Sequence, residues 1–277
     1  MAPIQSHAIG PGKTCHGLAS TVLPIRSCQY VAQKRLSVRS LEGTQAMSIE
    51  CKTFSGPDLF GYVAAPEAGA RGGVLILPTI FGVNEFARSY ADGLAQSGLV
   101  AAVWDINSGL PLSADYQECI RRARTLTDDG VLGMIARWRD TLQSQFGASA
   151  VGLIGFCIGG RFAILQASQD RSIVACAMAY PSIENPRLPN QAMDALALAA
   201  NIACPVHMLR PGIDHVSSPE TYETLTRALL SRPQPTTIQT YPEAEHGFMH
   251  RPALEANVAA TKLASPQLVA FLGACLS

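Results

Sequence analysis

A short apolar run, Val151 to Ile154, leads straight into Gly155-Phe156-Cys157-Ile158-Gly159-Gly160, and a helix-like stretch from Phe162 to Gln166 follows. Strand, sharp Gly-rich turn and helix in this order constrain the chain more than any other feature. Small residues on either side of one reactive side chain let the strand and the helix approach closely, with the reactive residue on the strained turn between them. The N-terminus of the helix then lies beneath that residue, where it favours negative charge and hence a thiolate. A dinucleotide-binding turn is the rival use of glycines between strand and helix, and it needs Gly-x-Gly-x-x-Gly with an acid placed for a ribose. Neither is present around Cys157.

The same alternation of apolar runs and helical periodicity extends from Ser48 to the end, as in βαβ units around a mostly parallel sheet. Ile49 to Phe54 and Leu59 to Ala64 flank the turn cluster Ser55-Gly56-Pro57-Asp58 and read as an edge hairpin. Val74 to Leu77 and Val100 to Trp104 read as strands, and between them Asn84 caps a helix running to about Gln96, with Gly98 beyond its end. A basic helical patch surrounds Arg121, Arg122 and Arg124. Leu132, Ile135, Trp138 and Leu142 recur at helical spacing, so their stripe should face the sheet. Val174 to Tyr180, Val206 to Leu209 and Thr237 to Tyr241 are the later strands, and Ser218-Pro219 is a helix start. A closing helix from about Leu254 to Leu276 is expected to be interrupted at Pro266.

Length and charge bound the partners. The chain has 277 residues with 21 basic and 21 acidic ones, which suits one α/β domain over residues 47–277 with an appendage at 1–46. Zero net charge supplies no drive toward nucleic acid or an anionic membrane surface. No uninterrupted run reaches the roughly 18–20 apolar residues of a membrane span, so a soluble protein is expected. Eight scattered cysteines, with no Cys-x-x-Cys pair and no zinc spacing, fit free thiols in a reducing, cytoplasmic setting without a metal. Met1 to Leu41 carries Lys13, Arg26, Lys34, Arg35 and Arg39 and no acid. That composition fits a transit peptide for organelle import, an unstructured tail, or sequence ahead of a start at Met47, and Leu18 to Ile25 imitates a weak secretory core.

A thiol nucleophile needs a base to hold it deprotonated and then to activate water, tasks suited to histidine. His246 lies just after the last expected strand, whereas His207, His215 and His250 are less well placed and His7 and His16 fall in the appendage. Asp214, directly beyond the strand at Val206 to Leu209, can orient the imidazole; Asp105 precedes the nucleophile and is the weaker acid. The order Cys157, Asp214, His246 is that of nucleophiles on strand–turn–helix elbows. The two N–H groups of an oxyanion hole fall at Ile158, directly after the nucleophile, and at Ile80, in the loop after the earlier strand.

Ile80-Phe81-Gly82-Val83-Asn84, the Cys157 turn, Asp214-His215 and His246-Gly247-Phe248, taken in this order, resemble the dienelactone hydrolase (carboxymethylenebutenolidase) family from about Met47 to the C-terminus. The resemblance implies an α/β-hydrolase fold with a mostly parallel eight-stranded sheet and helices on both faces, no cofactor, and a Cys157-His246-Asp214 triad acting on a small ester or lactone through an acyl-thioester. Members of that family carry a glutamate directly before the Ile-Phe-Gly-Val-Asn motif that helps to form the thiolate; this chain has Thr79 there. The family also holds a substrate carboxylate with arginines, which points to His250 and Arg251 after the histidine and to Arg121 and Arg122, although helix arginines are also ordinary solvated surface. A monomer or weak homodimer is expected. Two other functional readings stand beside this one: a hydrolase-fold protein that binds without turnover, and an esterase acting on unrelated esters.

Overall fold

The computed structural model describes Lys34–Leu36 and residues 47–277 apart from 57, so most of the appendage and Pro57 of the hairpin turn lie outside the described residues. Its elements in chain order are β1 (Lys34–Leu36), β2 (Ile49–Gly56), β3 (Leu59–Pro66), β4 (Gly73–Leu77), α1 (Glu85–Gln96), β5 (Val100–Trp104), α2 (Tyr116–Ala123) and α3 (Asp128–Phe146). Then follow β6 (Val151–Phe156), α4 (Ile158–Gln169), β7 (Ile173–Ala179), α5 (Ala195–Leu198), β8 (Val206–Ile213), α6 (Pro219–Leu230), β9 (Thr236–Glu245) and α7 (Glu255–Cys275). One sheet orders the strands β1-β2-β3-β5-β4-β6-β7-β8-β9. The hairpin β2–β3 is antiparallel and meets β5 antiparallel, while β4 to β9 run parallel. These eight strands are the expected α/β-hydrolase sheet. Lys34–Leu36 adds a three-residue ninth strand, antiparallel to Ile49–Cys51.

Parallel strands covered on both faces must be apolar throughout, and every residue of β4, β5 and β6 is buried. Alternate side chains enter two cores. Leu75, Leu77, Val151 and Leu153 join Trp138 of α3, Phe162 of α4 and Leu225 of α6 on one face. Val74, Ile76, Ile154 and Phe156 join Leu94 of α1 and Leu268 of α7 on the other. Helix starts follow local hydrogen bonding: Asn84 Oδ1 accepts the N–H of Ala87 at 3.0 Å, and Ser218 Oγ accepts that of Thr221 at 3.2 Å, with Pro219 in the first turn.

Two strands run further than their apolar stretches imply. β8 continues through Arg210-Pro211-Gly212-Ile213, and β9 through Pro242 to Glu245. Their ladder survives a register shift between Pro211 and Ile213 and ends on the pair Ile213–Glu245. A Cβ on Gly212 would stand 2.0 Å from the Pro242 carbonyl oxygen, so only glycine permits this approach. The extension carries the ends of β8 and β9, and the residues after them, side by side.

The closing helix departs from expectation. α7 runs through Pro266 without a break. Pro266 and Lys262, whose carbonyl loses its partner to the proline, both face solvent, and the opposite face is pinned by Ala260, Ala264, Leu268 and Leu272. Water can satisfy the freed carbonyl while packing holds the helix. By length and mean hydropathy alone α7 could cross a bilayer, although no uninterrupted apolar run suggested it; in this fold it is instead a helix laid on the sheet. Replacing Pro266 with alanine restores a helical donor at an exposed site, so the Pro266→Ala chain should unfold at higher denaturant, with a gain of about 1–3 kcal/mol.

Candidate active site

Three reactive side chains occupy the first positions beyond three parallel strands: Cys157 after β6, Asp214 after β8 and His246 after β9. The sharpest of these turns is at Cys157, which has φ of 57° and ψ of −121°, a region that side-chain-bearing residues occupy only when the surroundings enforce it. A Cβ on Gly155 would fall 2.2 Å from the Gly159 carbonyl oxygen, and one on Gly159 would fall 2.0 Å from that of Leu77. The flanking glycines are therefore what lets β6 and α4 close on each other around Cys157.

The imidazole is fixed from behind. His246 Nδ1 lies 2.9 Å from Asp214 Oδ2, and the His246 backbone N–H donates to the Ile213 carbonyl at 2.9 Å, which is the consequence of the extended β8–β9 ladder. Asp214 also accepts the N–H groups of Val216 and Ser217 and the hydroxyl of Tyr222, at 2.7, 3.0 and 2.8 Å. Burial opposes its charge, but these donors and the charge on His246 outweigh it and hold the carboxyl below its ordinary range. Burial likewise opposes the imidazolium, and hydrogen bonding and charge from Asp214 and Cys157 outweigh it, raising His246 to about 9.

At the sulfur the same balance applies. The packing around Cys157 opposes ionisation, yet His246, the Ser182 hydroxyl and the Ile158 backbone N–H together bring the thiol below its ordinary value. Ser182 Oγ lies 3.0 Å from Cys157 Sγ and 3.5 Å from His246 Nε2. The other five described cysteines are free, and burial pushes each thiol up, Cys51 and Cys204 to about 11.

These groups open into a cavity of about 410 Å³ whose lining includes Thr79, Ile80, Cys157, Ile158, Ser182 and His246. Ile80 and Ile158 both line it, and the Ile158 backbone N–H is among the donors to the Cys157 sulfur. Thr79 is buried and its Oγ1 accepts the Phe81 N–H at 3.2 Å. His250 lines the cavity between Phe81, Phe86 and Tyr180, with Nδ1 3.3 Å from the Tyr180 hydroxyl. Burial, then the charges of Arg251 and His246, drive it down to about 3, so it is neutral. Arg251 reaches the cavity.

Arg121 and Arg122 do not. Both pair with Glu118 of their own helix, and Arg122 also donates to the carbonyl of Pro111. The arginine on the cavity wall is Arg124, the residue that ends α2: a turn of 100° per residue separates it from its neighbours, and the pairing of Arg121 and Arg122 follows from Glu118 lying three and four residues before them. Asp105 caps its own loop by accepting the N–H groups of Asn107 and Gly109. His207 is buried against Phe271, away from the cavity, while His215 lines it. Sequence reasoning missed Ser182, Tyr222 and Arg124; no motif marks the first two.

A mostly parallel α/β sheet with a strained Gly-flanked strand–turn–helix at Cys157, and an acid and a histidine beyond two later strands in that order, has the architecture of the α/β-hydrolase class. The dienelactone hydrolase family model matches residues 59–276, and the chain belongs to that family, whose members hydrolyse carboxylic esters or lactones. Among curated proteins it is 29% identical over 208 residues to a carboxymethylenebutenolidase of Rhodococcus opacus, covering 73% of this chain and 81% of that one. A carboxymethylenebutenolidase of Pseudomonas sp. strain P51 is 25% identical over 239 residues, 83% of this chain and 94% of the relative. A crystal structure described as a candidate dienelactone hydrolase, from Klebsiella pneumoniae subsp. pneumoniae MGH 78578, superposes with a TM-score of 0.71 at 24% identity, covering 81% and 98% of the two chains, and shows the same fold.

The contrast among thiols yields a direct expectation. Iodoacetamide at neutral pH should modify Cys157 in a distinct fast phase, which falls away as the pH drops below the thiol's lowered value and is missing from a Cys157→Ala chain. Uniform slow labelling of all cysteines would contradict the electrostatics described.

Proposed function

We propose that the chain hydrolyses a carboxylic ester or lactone with Cys157 as nucleophile, His246 as acid and base, and Asp214 as the group that orients the imidazole. The observation that carries this reading is the His246 Nδ1–Asp214 Oδ2 contact of 2.9 Å behind an imidazole whose Nε2 side faces the Cys157 turn. The thiolate attacks the carbonyl carbon, and the resulting oxyanion accepts the N–H groups of Ile158 and Ile80. Collapse breaks the bond to the alkoxide, which takes the Nε2 proton of His246; in a lactone the freed hydroxyl stays tethered to the acyl group. Water then gives a proton to His246 and attacks the thioester, and the thiolate leaves. Asp214 stabilises the imidazolium in both halves without taking its proton.

The cavity also supports a substrate class. Arg124 and Arg251 line it, and neither has a carboxylate partner among the described residues, whereas Glu184 on the same wall is held by the Gln191 side chain at 2.7 Å. Two uncommitted guanidinium groups suit a lactone that carries a carboxylate, in keeping with the names of the curated relatives.

Cys157→Ala should lower kcat by roughly three to six orders of magnitude while the melting temperature stays near that of the parent. Arg124→Met and Arg251→Met should raise KM for a carboxylated dienelactone about tenfold or more and leave a neutral aryl ester unaffected. Equal losses on both substrates would remove the carboxylate assignment and retain the nucleophile.

A further inference from the structure

Ser182 has no place in a three-residue account of this site, yet its hydroxyl is the group in hydrogen-bond geometry with both reacting side chains. It lies 3.0 Å from the sulfur of Cys157 and 3.5 Å from Nε2 of His246, and the residue is only 4% exposed. Its backbone is committed to the same place, since the Ser182 N–H donates to the Cys157 carbonyl at 2.9 Å. Two residues earlier the fully buried Tyr180 has φ of 41°, left-handed backbone that a tyrosine adopts only under constraint. The end of β7 is thus bent at some cost into a position that sets one hydroxyl beside both nucleophile and base, which also contact each other. A serine that merely filled space there would need neither contact.

We propose that Ser182 is a fourth catalytic residue of this site, a hydroxyl that relays the proton between Cys157 and His246 and then anchors the thiolate. In the neutral state the Cys157 S–H donates to Ser182 Oγ, and the serine O–H donates to Nε2. One proton moves from sulfur to Oγ as another moves from Oγ to Nε2. The products are a thiolate and an imidazolium; the serine is unchanged and now donates to sulfur while accepting from Nε2–H. Thr79, whose Oγ1 accepts the Phe81 N–H, has no hydrogen bond to this sulfur. The fall of the Cys157 thiol below its ordinary value, to which the Ser182 hydrogen bond contributes after burial and His246, is in accord.

The other titratable groups facing this spot are Asp214 and Tyr222 behind the imidazole, the neutral Tyr180 and His250, and Tyr116, Glu184, His215 and Glu245 on the cavity wall, with Arg124 and Arg251. All remain in a Ser182 variant, so a change in the ionisation of Cys157 reports the serine alone. This inference rests on Cys157 being the nucleophile, and the experiment separates the two claims.

The test is the pH dependence of iodoacetamide alkylation at Cys157, measured beside kcat/KM for an aryl ester, in the parent, Ser182→Ala, Ser182→Thr and Ser182→Val chains. Removing the hydroxyl should move the alkylation midpoint up by about one pH unit or more and lower kcat/KM at neutral pH about tenfold to hundredfold, with partial recovery in alkali. Threonine should keep the parent profile and valine, of the same shape, should lose it; this pair decides the matter even if the alanine chain fails to fold. Identical midpoints for threonine and valine would overturn the proposal while leaving Cys157 as nucleophile. A parent chain whose Cys157 titrates as an ordinary thiol would overturn the nucleophile itself.

Discussion

Cys157 must hold a backbone conformation that a side-chain-bearing residue avoids, and the surrounding structure is organised to keep it there. Three hydrogen bonds pin the turn: the Cys157 N–H to the Ala179 carbonyl at 3.2 Å, and the Gly160 and Ser182 N–H groups to the Cys157 carbonyl, each at 2.9 Å. Gly159 lets α4 pass so close to β4 that no side chain fits between them. The geometry that strains the turn also aims the sulfur at the cavity, sets the helix N-terminus beneath it and brings the end of β7 alongside.

Charge in this site is managed by saturation at one end and economy at the other. Asp214 accepts four hydrogen bonds, one of them from His246, so its carboxylate stays charged behind the imidazole. The imidazole in turn offers its far nitrogen toward the Cys157 sulfur. Because proton transfer from Cys157 to His246 creates charge of both signs at once, the net charge of the buried centre is unchanged, and the low-dielectric surroundings strengthen the resulting attraction. His250, kept neutral among aromatic rings, adds no competing cation there.

Much of this was legible in the sequence, and the exceptions have physical causes. β5, at Val100–Trp104, has the bounds its apolar run implied, because a strand buried on both faces has no polar residue to blur its ends. β8 and β9 were underestimated because Arg210-Pro211-Gly212 and Pro242-Glu243 look like loops; the glycine contact and edge position that keep them in register are tertiary facts. Pro266 sits in α7 because packing on the far face outweighs propensity. Cys157, Asp214 and His246 stood out since each follows a recognisable strand. Arg124 did not, as the direction of an arginine at the end of a helix depends on what its neighbours bind. Ser182 was invisible for a related reason: a serine two residues past a strand is ordinary until a strained tyrosine bends it toward the sulfur.

The most direct measurement of the central claim is mass spectrometry of the chain quenched in acid during turnover of an ester whose acyl group leaves slowly. The account predicts a transient mass increase equal to the acyl group, located on the peptide bearing Cys157 and reversed by neutral hydroxylamine. An acyl group found on any other residue, or steady turnover with no acylated species under conditions where deacylation limits the rate, would contradict it.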